Sequence, residues 1–526
     1  MADERAEHSK FATIFAGGTL FSRVLGLARD LTWTALIPAA SFDAFIVAFR
    51  LPNMLRELIG EGASNAAFVP VFSETLETES DEAFRELVSA AMSAMLILLA
   101  ALTLLGILVL PGILGTLDLL DTFTQQEAVS QERIDTMTHL AVWTFPYIFL
   151  IGMAIFFMAP LYTIKHYFTP SWSPALLNIA LIASCLLLRD AFAEPAFALV
   201  TGVWIGGIAQ LLVQYFALGK KVGVWYPNFR LRHPGIRTVL WLMLPVIFGQ
   251  AAGEINRLVD ILFAASLPEE GTVRALFLSN RLVQLPLSIF GVATSVAILP
   301  TMSRFAARED YAQIRETLLM GLRQSFFLIL PAMLGLMIMG EPIIQLLFER
   351  GQFAAEDTAR THAVLLIYAA GLLSFAWVKV CVTGFYAVKN TRTPVIIASA
   401  SMLLNILLNF ALIGPLGYKG LAVATTISFT INAFFLYLFL WQKFGKMYDA
   451  AFLQSLLRIA IAAILMAAVT YGVYLNILKI APGDTLIPRL IHVLVPVGAA
   501  IAVYAGLCAA LRVPELHGFT SMFRKR

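Results

Sequence analysis

Apolar and polar positions alternate along this chain on a coarse scale. Runs of about 20 apolar residues, the length needed to cross roughly 30 Å of hydrocarbon, recur between short polar stretches. Fourteen such segments are predicted, over 12–36, 42–64, 88–113, 137–160, 172–188, 196–218, 238–264, 273–300, 318–340, 362–387, 394–413, 420–442, 452–476 and 487–511. The pattern predicts an all-α polytopic membrane protein. Its first segment follows the mixed-charge run MADERAEHSK and carries Arg23, Arg29 and Asp30, so it does not resemble a removable signal peptide.

Composition agrees with this reading. With 59% hydrophobic and only 13% charged residues among 526, and a mean hydropathy of +0.80, the chain has too little polar surface for a soluble globule. Its net charge of +3 matters less than where the cations lie. With the N-terminus inside, about nineteen loop Lys and Arg fall on the cytoplasmic side and about eight outside, which predicts that both termini are cytoplasmic. The inside set includes Lys220, Lys221, Arg230, Arg232, Arg237 and the FRKR tail; the acidic stretch 73–86 also falls inside, but acidic residues weigh little in this rule. Cys185, Cys381 and Cys508 lie far apart, without metal or redox spacing, and read as small buried hydrophobes.

The sequence also repeats itself. AFVPVFS (67–73) returns as AILPTMS (297–303) at an offset of 230, LYTIKHYFTP (161–170) as FYAVKNTRTP (385–394) at 224, and LLNI at 176–179 recurs at 403–406. Six segments, an even number, separate matching points, so the copies share one orientation and are related by an axis along the membrane normal. The expected organisation is a six-helix lobe over 1–218, a basic cytoplasmic linker over 219–237, a second six-helix lobe over 238–442, and a two-helix appendage with a basic tail over 443–526. The lobes, segments 1–6 and 7–12, would surround a central cavity. Read as plain cytoplasmic turns, the YxxKxxxTP pieces have their composition explained, but not their equal spacing.

Charged residues inside apolar segments are costly and mark function by default. Arg23, Arg29, Arg50, Arg56 and Arg281 all lie in such segments, with no obvious carboxylate one helical turn away. Each pair in the first two segments brackets a helix-perturbing residue, Gly26 or Pro52, which suggests broken helices lining a polar cavity. Guanidinium forks at bilayer depth suit a lipid-borne phosphate or diphosphate; Arg29, Arg56 and Arg281 are the expected grip. Asp30, Asp43, Glu57 and Glu61 would pair with arginines when the cavity is empty and release them to the anion. Structural alternatives exist: Arg50 approaching Glu57 or Asp43, and Arg56 snorkelling to the interface. Arg257, bracketed by Glu254 and Asp260 at i±3, is set aside as an internal ion pair. Asp260, Asn405, Asn409 and Thr425 offer hard oxygens that suit a sodium ion, although Asn and Thr also glue membrane helices together. The sequence contains no phosphate loop, HExxH, GxSxG or CxxC motif, so an enzyme is not expected, and neither is a nucleic-acid partner.

FSRVLGLARD (21–30), DAFIVAFRLPNMLRELIGEGASNAAFVPVF (43–72) and NRLVQLP (280–286) closely resemble the MurJ/MviN lipid II flippases, within the multidrug/oligosaccharidyl-lipid/polysaccharide exporter superfamily. The resemblance covers about residues 12–515. It implies export of the undecaprenyl-diphosphate-linked peptidoglycan precursor, lipid II, across the bacterial inner membrane by alternating access, with cell-wall synthesis proteins as neighbours. By this resemblance Arg23, Arg29, Arg56 and Arg281 match the essential cavity arginines, and Asp43 the essential acid near the outer end of segment 2. Asn53 falls in the same stretch, beside Arg50 and Arg56, and joins the expected cavity set. Segments 13 and 14 would guide the polyprenyl tail, and Asp260, Asn405, Asn409 and Thr425 are spaced like the family's sodium ligands. Gln284 stands where some members carry Glu. A flippase for another undecaprenyl-diphosphate-linked glycan, a drug exporter and a non-transporting scaffold are the alternatives; a drug exporter would favour carboxylates and aromatics over arginines.

Overall fold

The structure is a computed structural model that describes residues 2–59, 65–117, 130–223, 227–228 and 233–516. Every regular element among them is helical. Eleven helical spans are long and apolar enough to cross a membrane. The first, second and seventh predicted segments fall outside that set. Helix α1 (Ala2–Leu36) carries Arg23, Arg29 and Asp30, and α2 (Ala39–Arg56) carries Asp43, Arg50 and Arg56 within eighteen residues.

Packing divides the chain into two units, Met1–Val273 with Arg350–Phe353, and Arg274–Glu349 with Ala354–Arg526. The first contains α1, α2, α3 (Asn65–Thr78), α4 (Asp81–Gly115), α5 (Gln131–Thr144), α6 (Tyr147–Thr163), α7 (Phe168–Leu188), α8 (Ala196–Lys221) and α9 (Pro234–Ala265). Its aromatic core joins Trp33 to Phe42 and Phe45, and Phe68 to Phe72 and Phe156. Helix α1 packs on α7, and α7 on α8. There Gly202 and Gly206, one turn apart, lie so close to α7 that an added Cβ would meet the Leu181 and Leu177 Cα atoms at 3.0 and 2.8 Å. Small residues at this spacing let membrane helices approach closely. Helix α9 packs on α2 and α3, which places its charges beside those of α2.

The second unit contains α10 (Thr272–Pro286, joined at its start to the first unit), α11 (Ala293–Ala307), α12 (Tyr311–Phe348), α13 (Ala355–Ala387), α14 (Arg392–Leu416), α15 (Tyr418–Phe444), α16 (Ala450–Ile480) and α17 (Leu486–Ala510). The last two helices pack on α12. Both ends of that contact are tied: Arg489 of α17 donates to the Gln345 and Glu349 carbonyls and pairs with the Glu349 carboxylate at 2.7 Å. Near the other end, Glu515 accepts from Ser455 and pairs with Arg323.

The duplication is visible in backbone geometry. Lys165 and Lys389, 224 apart, both adopt left-handed φ, at 59° and 58°. Each follows a helix, and each turn closes with the same bonds: Lys165 N to Tyr162 O and His166 N to Leu161 O, then Lys389 N to Tyr386 O and Asn390 N to Phe385 O. This is the 6→1 and 5→2 helix-ending pattern. A π-helical turn begins at Glu57 after α2 and another, Leu287–Val292, after α10, 230 apart. Such turns mark helices interrupted at functional positions, and both follow a proline, Pro52 or Pro286.

Candidate functional site: paired arginines

In α1 the Arg29 side chain folds back on its neighbour. Its Nε and Nη2 donate to Asp30 Oδ1 at 3.0 and 2.6 Å, Nη1 donates to Asn178 Oδ1 at 3.1 Å, and the guanidinium lies 4.7 Å from the Trp33 ring centroid. Asp30 is fully buried. Asn178, from α7, also donates to the Ser22 carbonyl, so it locks the arginine to a second helix. These bonds occupy three of the five N–H groups of Arg29. Arg23, in the same helix, is exposed.

Between α2 and α9 runs a chain of alternating charge. Arg50 Nη2 pairs with Glu254 Oε2 at 2.7 Å; Glu254 Oε1 takes Arg257 Nη2 at 2.6 Å; Arg257 Nη1 reaches Glu57 Oε2 at 3.1 Å; and Arg56 Nη2 lies 3.8 Å from Glu57 Oε1. Asn53 braces the outer members by donating to Glu57 Oε1 and accepting from Arg56 Nε. The expectation that these arginines lack acidic partners is therefore corrected. Arg29 has Asp30 beside it in sequence, and Arg50 has a partner 204 residues away rather than Asp43 or Glu57. Arg257 pairs with Glu254 as its spacing predicts, but it is no isolated pair, because its other nitrogen reaches Glu57 on α2. Asp260 instead accepts from Asn256.

Asp43, also fully buried, stands apart from this chain. Its Oδ2 accepts from Gly271 N at 2.8 Å and lies 3.7 Å from Arg133 Nη2, while Arg133 Nη1 donates to the Leu267 carbonyl. A carboxylate on α2 thereby holds α5 and the loop that follows α9. Glu61 lies outside the described residues, as do parts of the basic linker and the residues after Leu516.

In the second unit Arg281 is exposed on α10. Asn409 Nδ2 donates to Asn405 Oδ1 at 3.1 Å, Asn405 Nδ2 to Thr425 Oγ1 at 3.2 Å, and Thr425 Oγ1 to the Leu421 carbonyl. Asp260 belongs to the first unit. Asn405 is the repeat mate of Asn178 by the LLNI match, so the duplicated asparagine holds an arginine in one unit and a second asparagine in the other. Sequence reasoning missed Asn178 and Arg133, and it took Glu254 only as a partner of Arg257 and not of Arg50; the LLNI repeat was the one signal that pointed at Asn178.

With every described element helical and eleven spans of membrane length, the chain is, as a class, a polytopic membrane protein. A family model described as "Lipid II flippase MurJ" matches residues 34–487. A "Probable lipid II flippase MurJ" of Vibrio cholerae is 36% identical over 81% of this chain and 82% of its own. A solved structure described as "Lipid II flippase MurJ, inward closed conformation" superposes with a TM-score of 0.75 at 25% identity, over 95% of this chain and 99% of that one. A multidrug resistance MATE family transporter of the MOP superfamily, inward-facing, gives 0.67 at 13% identity over 83% and 98%, a likeness of fold. The chain belongs to the MurJ lipid II flippase family.

Proposed function

We propose that this protein carries lipid II from the cytoplasmic to the outer leaflet of the bacterial inner membrane, as a transporter and not an enzyme. Family membership supplies the cargo, and the braced forks of Arg29 and Arg56 support the way it is held. A diphosphate presents oxygens that guanidinium groups bind bidentately. Arg29, Arg56 and Arg281 are proposed as its ligands, with Arg23 at the cavity, Asp30 and Asn53 orienting the forks, and Asp43 latching the outer side. All fourteen segments are proposed to cross the membrane with both termini cytoplasmic. Two six-helix lobes would rock about a central cavity, the last two helices would guide the tail, and wall-synthesis proteins would stand alongside.

Return to the starting state needs a bias, because a ligand that binds two states equally shifts neither. The membrane potential supplies about 2.3 kcal/mol per charge per 100 mV. Sodium, the other candidate, would have to compete for Asn405 Oδ1 and Thr425 Oγ1, which already accept hydrogen bonds from Asn409 and Asn405. Exchange of sodium for potassium at fixed potential is accordingly expected to leave the flipping rate in proteoliposomes unchanged; a rate that collapses in potassium would restore the ion to the mechanism. The function itself is tested in a strain depleted of its own lipid II flippase. Expression of this chain is expected to restore outward display of lipid II, and failure despite normal membrane levels would refute the assignment.

A further inference from the structure

We infer that the Arg257–Glu57 contact is a counter-ion switch: in the empty protein Glu57 occupies the Arg257 fork that an incoming diphosphate takes over, whereas Arg50–Glu254 is a fixed anchor. This inference rests on the flippase reading and adds to it a binding arginine on α9 and the carboxylate that competes with the cargo.

Burial separates the fixed contact from the labile one. Arg50 and Glu254 side chains are 9% and 6% exposed and meet at 2.7 Å, while Arg257 is 48% exposed and Glu57 23%, and they meet at 3.1 Å. Breaking a buried pair leaves an uncompensated charge out of water. A partly solvated pair is screened and weak, so an anion reaching the chain opens it at Arg257–Glu57.

Among these contacts that of Arg56 with Glu57 is the longest, at 3.8 Å. A diphosphate arriving there meets Arg56 and, past Glu57, the Nη1 edge of Arg257. Binding turns Glu57 from a partner into a like charge beside the phosphate. Glu57 stands on the π turn that follows α2, and Arg257 on α9, so exchanging a carboxylate for cargo loosens the bond between these elements while Arg50–Glu254 keeps them together. Departure of the diphosphate lets Glu57 return, which favours release over retention.

The test uses the purified full chain in nanodiscs with farnesyl diphosphate as the probe, read by calorimetry, beside lipid II flipping in proteoliposomes. Glu57→Gln is expected to bind the probe about tenfold more tightly and yet flip more slowly, because the competitor for release is gone. Arg257→Gln is expected to bind it about tenfold more weakly, with Arg257→Lys between the two. Opposite movement of affinity and rate in Glu57→Gln is a result that a merely structural role would not produce. Should Glu57→Gln fail to accumulate, the half-exposed Arg257 variants report on the same contact. Unchanged or weaker binding by Glu57→Gln, or unchanged binding by Arg257→Gln, overturns the switch and leaves the flippase assignment standing. A wild-type chain that flips lipid II but does not bind farnesyl diphosphate would sink the diphosphate grip, and the switch with it.

Discussion

Arg29→Ala is expected to abolish lipid II display in the depletion strain, and Arg29→Lys to lower flipping by at least about 10²-fold. A charge-assisted hydrogen bond is worth about 1.5–3 kcal/mol, and lysine keeps the charge but loses the planar fork. Arg29 bonds Asp30 through Nε and Nη2 and Asn178 through Nη1; a lysine ammonium cannot reproduce that three-point geometry. Alanine also leaves buried Asp30 without its guanidinium, which costs about 3–5 kcal/mol in its own right. The double variant Arg29→Ala/Asp30→Asn removes that burden. It is expected to reach normal membrane levels and still fail to flip, whereas recovery of flipping would show that Arg29 serves only to neutralise Asp30. Arg56→Ala and Arg281→Ala are expected to behave alike, as their proposed roles require.

Arg274→Ala is expected to carry the largest cost in stability, about 3–5 kcal/mol, from breaking a buried ion pair. Arg274 is 1% exposed and its Nη2 lies 2.5 Å from Asp357 Oδ1. Asp357 also caps α13 by accepting from Ala354 N, so the pair ties α10 to the start of α13. By contrast, Arg360→Ala removes contacts to the same Asp357 at 3.8 Å and to a largely exposed Glu356, and is expected to cost no more than about 1 kcal/mol. Cys185, Cys381 and Cys508 are all buried, so the rate at which a maleimide dye labels the heated protein in detergent reports unfolding. Equal melting of the two variants would contradict this ranking of buried over exposed pairs.

Local patterns carried most of the fold. Apolar runs of membrane length, Pro52, and the paired YxxKxxxTP turns were all readable, because helix formation and turn geometry depend on neighbours within a few residues. The matching left-handed Lys165 and Lys389 show how closely the repeat is kept. Arg257 shows where such reading stops. Its i±3 spacing predicted the bond to Glu254, but nothing near it in sequence announced Glu57.

The arginines could be identified one by one from the sequence, since a charge in an apolar run is improbable without a use. Their partners could not. Asn178 stands 149 residues from Arg29 and Glu254 stands 204 from Arg50, and no helical periodicity links residues so far apart. The amino-acid order alone determined a helical protein with apolar runs of membrane length, a repeated turn and cations set within apolar stretches, because hydrophobic length and local charge are properties of the chain itself. Only the packing of α1 on α7 and of α2 on α9 decided which cation is braced, which is buried in its pair and which stays half-exposed, because the distance, burial and competing partners of an ion pair are created by tertiary contacts.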